Sequence, residues 1–446
     1  MKVLIYGGTL VNEGKAESAS IVIENDKIQN IIYSKTCPEG SWDQVLDASG
    51  CIVLPGVIDE HVHFREPGLT EKADIESESR AAAAGGVTTY FDMPNTVPQT
   101  VSPEALADKV WRAGRESHVN FGCFFGATAN NCSLFGKLDR HSLPGIKLFM
   151  GASTGDMAVE RLDDLRRIFK ACAEAGLPLV THCEDSGIIS RNMRQAISEH
   201  GEDPCITLHP LIRSTEACYT STALAVALAK EYGTRLHVAH LSTAKELNLF
   251  GDNPLITAEA VTAHLMFSDT DYAHKKALIK CNPAVKTAED KIALRAALTS
   301  GKIATIATDH APHRLSDKQG GAKKAASGMP MVQFSLPCAL EMVDENVMTL
   351  PQMVRLMCHN PAEIFSVRGR GYLRKGYKAD IVIARPNDPW KVTQDCIQSK
   401  CGWSPLLNHV FHWRIVQTLC NGQLIYDVAK GGITNFDYRG EAVIFR

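Results

Sequence analysis

Eight short apolar runs alternate with helical patterns between Ile52 and Asp309, and this rhythm constrains the fold more than any other feature of the chain. The runs are IVLPGVID (52–59), VTTYFDM (87–93), VNFGCFF (119–125), IKLFM (146–150), PLVTH (178–182), RLHVAH (235–240), PLITAEAV (254–261) and KIATIATD (302–309). Such brief, nearly continuous apolarity marks strands buried on both faces. Between them, stretches such as DDLRRIFKACAEAG and STALAVALAKEYG have helical periodicity and close on glycine. The alternation predicts an α/β fold, a (β/α)8 TIM-type barrel, whose chemistry sits at the C-terminal ends of its strands. A doubly wound open sheet would gather its site at one switch point, whereas here candidate ligands end several runs. PLITAEAV carries the weakest strand signal of the eight.

The two ends of the chain have a different texture. KVLIYGG, ASIVIEN and KIQNIIY, and later GYLRKGYKADIVIARP and WRIVQTLCNGQLIYD, are short β patterns punctuated by turn residues. They predict one small discontinuous β domain built from residues 1–52 and 369–446, beside a barrel of residues 53–368 that closes with the helical LPQMVRLMCHNPAEIF. A chain of 446 residues has room for both. The segment from Ala311 to Gly328 is polar and glycine-rich, and reads as a surface loop or a mobile lid.

Bulk properties exclude several function classes. A formal charge of -3 with 45% hydrophobic and 22% charged residues suggests neither nucleic-acid nor membrane binding. No apolar run approaches the ~20 residues of a membrane helix, and MKVLIYGGTL has too short an apolar stretch for a signal peptide. The 14 cysteines contain no C-x-x-C pair and read as reduced thiols. The expectation is a soluble cytoplasmic protein.

Metal-ligand residue types stand at the ends of the runs. His61 and His63 share a strand face while Val62 points away, and Asp59 reads either as orienting one of the imidazoles through its second nitrogen or as a turn residue. His182 and His240 end successive strands at equivalent levels. His237 falls on the opposite face by parity and reads as structural. Lys147 admits two readings: a neutral, desolvated amine that takes up carbon dioxide to give an anionic bridging ligand, or a cation directed at a substrate anion or carboxylate. Asp309 can hold a metal, accept a proton from water and deliver it to a leaving nitrogen. Nitrogen and oxygen ligands without thiolate favour zinc, with manganese or cobalt as substitutes.

The sequence Asp59-Glu60-His61-Val62-His63-Phe64-Arg65-Glu66-Pro67-Gly68, followed by Met93-Pro94-Asn95-Thr96, GIKLFMG, HCED, HVAHLS and DHAPH, resembles the dihydroorotases of the amidohydrolase superfamily along nearly the whole chain. The resemblance implies two zinc ions per subunit, His61 and His63 on one, His182 and His240 on the other, and carbamylated Lys147 between them. Asp309 is then metal ligand and general acid/base. Arg65, Asn95 and His313 would hold the substrate carboxylate, with Asn282 near the pyrimidine ring. The implied reaction is reversible, metal-dependent interconversion of N-carbamoyl-L-aspartate and dihydroorotate in pyrimidine synthesis, by a homodimer. Some dihydroorotases carry aspartate in place of the bridging lysine, and Asp156 lies close enough in sequence to contribute instead. Rival cyclic amidohydrolases are allantoinase, which generally lacks an arginine at the place of Arg65, and dihydropyrimidinase or hydantoinase. The latter usually has a tyrosine five residues after the bridging lysine, where this chain has Ala152. A non-catalytic scaffold would be expected to have lost ligands, and none is missing.

Overall fold

The computed structural model describes residues 1–34, 36–151 and 157–446; Ala152 and Asp156 lie outside the described residues. Its centre is a closed barrel of strands Val57–Val62, Val87–Asp92, Asn120–Cys123, Ile146–Met150, Leu179–Cys183, Leu236–Val238, Ile256–Val261 and Thr305–Ala307. Neighbours pair in parallel. The third strand resumes at Phe125–Gly126 to meet the fourth, and a parallel bridge between Val62 and His310 closes the ring. The weak seventh run is a strand, Ile256–Val261.

Helices between the strands start and stop where local chemistry dictates. Ser214 caps Thr215–Tyr232 by accepting from the Ala217 amide, and Gly233 ends that helix in the left-handed region at φ +69. Gly176 does the same for Leu162–Ala175 at φ +65. The barrel floor is apolar: Ile58, Phe91, Phe124, Val180 and Ala239 pack with Phe365 and Phe445. The polar residues of the site are thereby confined to the opposite end.

One run divides in a way the sequence did not suggest. IVLPGVID is two strands, Ile52–Pro55 and Val57–Val62. The first leaves the barrel and pairs antiparallel with Ile381–Arg385. The break falls at Gly56, where an added Cβ would lie 2.0 Å from Thr88 Oγ1. That pairing joins the two chain ends into one nine-stranded sheet, which runs from Gly432–Ile433 to Lys27–Ile32.

A buried polar network fastens this sheet to the barrel. Asp380 accepts from the Asn120 side chain at 3.2 Å and from the Asn421 amide at 2.8 Å, and it pairs with Arg370. Asn421 Nδ2 in turn donates to Asn120 Oδ1 at 2.8 Å. Arg370 and Asp380 are each 4% exposed. Removing Asp380 leaves Arg370 only the part-exposed Glu441 as a carboxylate partner, at 3.0 Å, so Asp380→Ala is expected to destabilise the fold by about 3 kcal/mol. Denaturant unfolding would measure it, and a loss under about 1 kcal/mol would show the network to be incidental.

Candidate metal centre and substrate cavity

At the C-terminal end of the strands a small cavity is lined by His61, His63, Arg65, Asn95, Lys147, Phe149, His182, His240, Asn282 and Asp309, among others. Three of these residues leave their strands in the left-handed region, Arg65 at φ +70, His240 at φ +40 and Asp309 at φ +47. Such strain in non-glycine residues persists where the surroundings over-determine it and clusters at functional sites.

The hydrogen bonds reveal which imidazole nitrogens carry lone pairs. His61 Nδ1 lies 2.8 Å from Glu259 Oε1, and His63 Nδ1 lies 2.7 Å from Asn95 Oδ1. Both Nδ1 atoms therefore donate, which leaves each Nε2 as an acceptor. Yet those two Nε2 atoms converge on one oxygen, Asp309 Oδ1, at 3.3 and 3.1 Å. Three lone pairs meeting in a buried place repel unless a cation sits among them. Across the cavity His182 Nδ1 faces His240 Nε2 at 3.0 Å, while His182 Nε2 lies 3.1 Å from Glu184 Oε2. Against the cost of burial, Arg213 and His182 hold Glu184 ionised, at about 2. The donor set thus fits metal ions on both sides of the cavity.

Lys147 lies between them. It is fully buried, and its Nζ has no hydrogen-bond partner. Burial pushes its amine down to about 8 from 10.5, with Glu259 and Asp309 opposing.

Other assignments change. Asp59 does not touch an imidazole: it accepts from the His61 and Thr308 amides, each at 3.2 Å, and from the Thr308 hydroxyl at 2.6 Å. Glu259, in the middle of the seventh strand, reaches His61 Nδ1 instead and also accepts from the His240 amide at 2.9 Å. A glutamate inside the apolar run ITAEAV was the available signal for it. His237 is not turned from the barrel interior. Its strand ends at Val238, and the positive φ of His240 lets both histidines lie inside. His237 sits below the site, 3.8 Å from Glu60 and 4.0 Å from Glu259. Burial first, then Glu259, push Glu60 well above the carboxylate range, so it is at home here as a neutral acid.

His313 does not line the cavity. Its Nε2 lies 3.0 Å from the Ser327 carbonyl and 3.2 Å from Arg65 Nη2, and burial together with the Arg65 charge keeps the ring neutral. Arg65 is 4% exposed, donates from Nε to the Pro312 carbonyl at 3.0 Å, and has no carboxylate within ion-pair distance among the described residues. Lys109 and Asp92, which sequence reasoning passed over, form a buried pair at 2.7 Å. Asp92 also accepts from the Phe64 amide at 2.9 Å, bracing the turn that carries His63 and Arg65.

Residues 52–425 match the amidohydrolase family. The chain belongs to that family. It is a hydrolytic enzyme, and the family is metal-dependent. It is 32% identical to the dihydroorotase of Pelobacter propionicus over 96% of this chain and 100% of that one. It is 31% identical to the dihydroorotase of Lactobacillus johnsonii, over 96% and 99%. Among solved structures it is similar to the L-hydantoinase (dihydropyrimidinase) of Arthrobacter aurescens, with a TM-score of 0.93 and 28% identity, covering 100% and 99% of the two chains. The fold is also that of dihydropyrimidinase from Brevibacillus agri, with a TM-score of 0.90, 22% identity, and 99% and 98% covered. Among the described residues no helix is long and apolar enough to cross a membrane.

Proposed function

We propose that this enzyme is a dihydroorotase that interconverts dihydroorotate and N-carbamoyl-L-aspartate in pyrimidine synthesis. The observation that carries the proposal is Arg65, a buried guanidinium on the cavity wall without a carboxylate partner in ion-pair range. A buried cation of this kind is costly unless a ligand anion completes it, and a planar carboxylate suits its fork. Dihydroorotate brings that carboxylate, whereas dihydrouracil and allantoin do not. Relatives named dihydroorotase over nearly the full chain support the same substrate. The likeness to an L-hydantoinase supports a second reading, a cyclic amidase for a neutral ring.

In the proposed assignment His61, His63, His182, His240, Asp309 and Lys147, the last as its carbamate, hold two zinc ions. When bound, the ions would polarise the scissile carbonyl and acidify a water. Arg65 grips the carboxylate, Asn95 offers its Nδ2 toward the cavity while its oxygen orients His63, and Asn282 borders the ring. His313 acts from behind, fixing the guanidinium. In ring opening a C–O bond forms at the ring amide carbon and its C–N bond breaks. Asp309 takes the proton from the attacking water and passes it to the departing nitrogen, which becomes the terminal amide of the ureido group. We place the catalytic unit within residues 53–368, which contain every residue named here.

Turnover of dihydroorotate, allantoin and dihydrouracil by zinc-supplied protein tests the proposal. Dominant hydrolysis of dihydroorotate is expected; preference for a neutral ring would sink it. The carbamate has its own signature. An amine at about 8 gains its neutral form as pH rises to that value, so bicarbonate-dependent reactivation of metal-stripped protein, at fixed dissolved carbon dioxide, should quicken with pH up to about 8 and then level off. An ordinary lysine would keep gaining rate toward 10.5, and that result would argue against a desolvated bridge.

A further inference from the structure

The loop from Ala311 to Gly328 is pinned to the barrel by a buried lysine. Lys318 is 3% exposed, and its Nζ donates to three carbonyls: Lys280 at 3.1 Å, Ala326 at 2.7 Å and Gly328 at 2.7 Å. Three N–H donors on a tetrahedral ammonium match three converging acceptors, an arrangement the planar arginine fork cannot reproduce. The Gly328 amide returns a hydrogen bond to the same Lys280 carbonyl at 2.8 Å, and Lys280 Nζ reaches the Ala325 carbonyl.

These bonds join two walls of the cavity. Ser327 and Gly328 form one, and Asn282, two residues beyond Lys280, belongs to the other. The first wall continues to the carboxylate side, because the Ser327 carbonyl meets His313 Nε2 and His313 abuts Arg65. Trp403 closes the arrangement, donating from Nε1 to the His313 carbonyl at 2.7 Å, with Lys318 Nζ 5.7 Å from the centre of its ring. Like Arg65, Lys318 has no carboxylate in ion-pair range among the described residues.

We infer that Lys318 is a positioning residue for carboxylate recognition, holding the Ala326–Gly328 wall against the Lys280–Asn282 wall and thereby setting His313 and Arg65. The inference rests on the dihydroorotase reading for its substrate, but not for its mechanical part. Methionine fills the volume while removing all three donors. In zinc-loaded enzyme Lys318→Met is expected to raise KM for dihydroorotate about ten-fold or more and to change kcat less than about three-fold, the pattern of lost uniform binding. Any activity on dihydrouracil should lose less kcat/KM than activity on dihydroorotate. Amide hydrogen exchange should quicken at 280–282 and 326–328 together.

Lower kcat at unchanged KM, equal losses on both rings, or faster exchange in one wall alone would overturn the assignment. Should Lys318→Met fail to fold, Lys318→Arg keeps the charge without the three-way convergence. A raised KM in that variant supports the inference, and an unchanged KM overturns it. If the wild-type enzyme ignores dihydroorotate, the functional reading is what fails, and the exchange measurement alone decides whether Lys318 ties the walls.

Discussion

Asp309→Asn is expected to lower kcat for dihydroorotate by about 10³-fold or more while leaving the fold intact. Asparagine has nearly the same shape and tolerates the left-handed backbone that Asp309 adopts at φ +47. What it removes is the proton acceptor, together with the negative oxygen on which His61 and His63 Nε2 converge. The metal ions these residues are proposed to hold would, when bound, keep the aspartate ionised despite its burial. Such a carboxylate takes a proton only briefly, which suits a group that must pass it on to the leaving nitrogen. Steady-state kinetics with thermal unfolding and zinc analysis on the same preparation would check this. Residual kcat within about ten-fold of wild type, with zinc retained, would remove Asp309 as the acid/base.

The second large effect belongs to Arg65. Arg65→Met is expected to cut kcat/KM for dihydroorotate by about 10²-fold, near 3 kcal/mol, mostly through KM, because a charge-assisted fork to a carboxylate is lost. Methionine keeps apolar bulk and relieves the burial that already pulls the guanidinium down to about 10, so stability should hold. Activity on dihydrouracil should be spared. Equal loss on both substrates would mean that Arg65 serves the local backbone, through Pro312, rather than the ligand.

The substituted residues differ in how far their roles could be read in advance. His61, His63, His182, His240 and Asp309 were visible because they stand at the ends of apolar runs, which a barrel brings together at one mouth, and Lys147 because it is the one charge inside the run Ile146–Met150. Glu259 stood in the same kind of run, but nothing in the spacing tells that its carboxylate crosses from the seventh strand to the first to reach His61. Asp59 was adjacent in sequence and so attracted that role, whereas its oxygens were already taken by Thr308. Parity misplaced His237, since alternation holds only while the strand lasts and Leu236–Val238 ends before His240.

Periodicity and strand-end chemistry, both local properties of the chain, were enough to determine the barrel and the discontinuous β domain, and to point to the side chains that line the barrel mouth. Orientation was decided only in three dimensions. Which nitrogen of His61 donates depends on Glu259, nearly two hundred positions away (|i−j| = 198). Whether the segment after Asp309 is a free lid or a fixed wall depends on Lys318 meeting carbonyls from two segments. Hydrogen-bond direction and desolvation are set by what surrounds a group after folding, and sequence spacing carries no record of those neighbours.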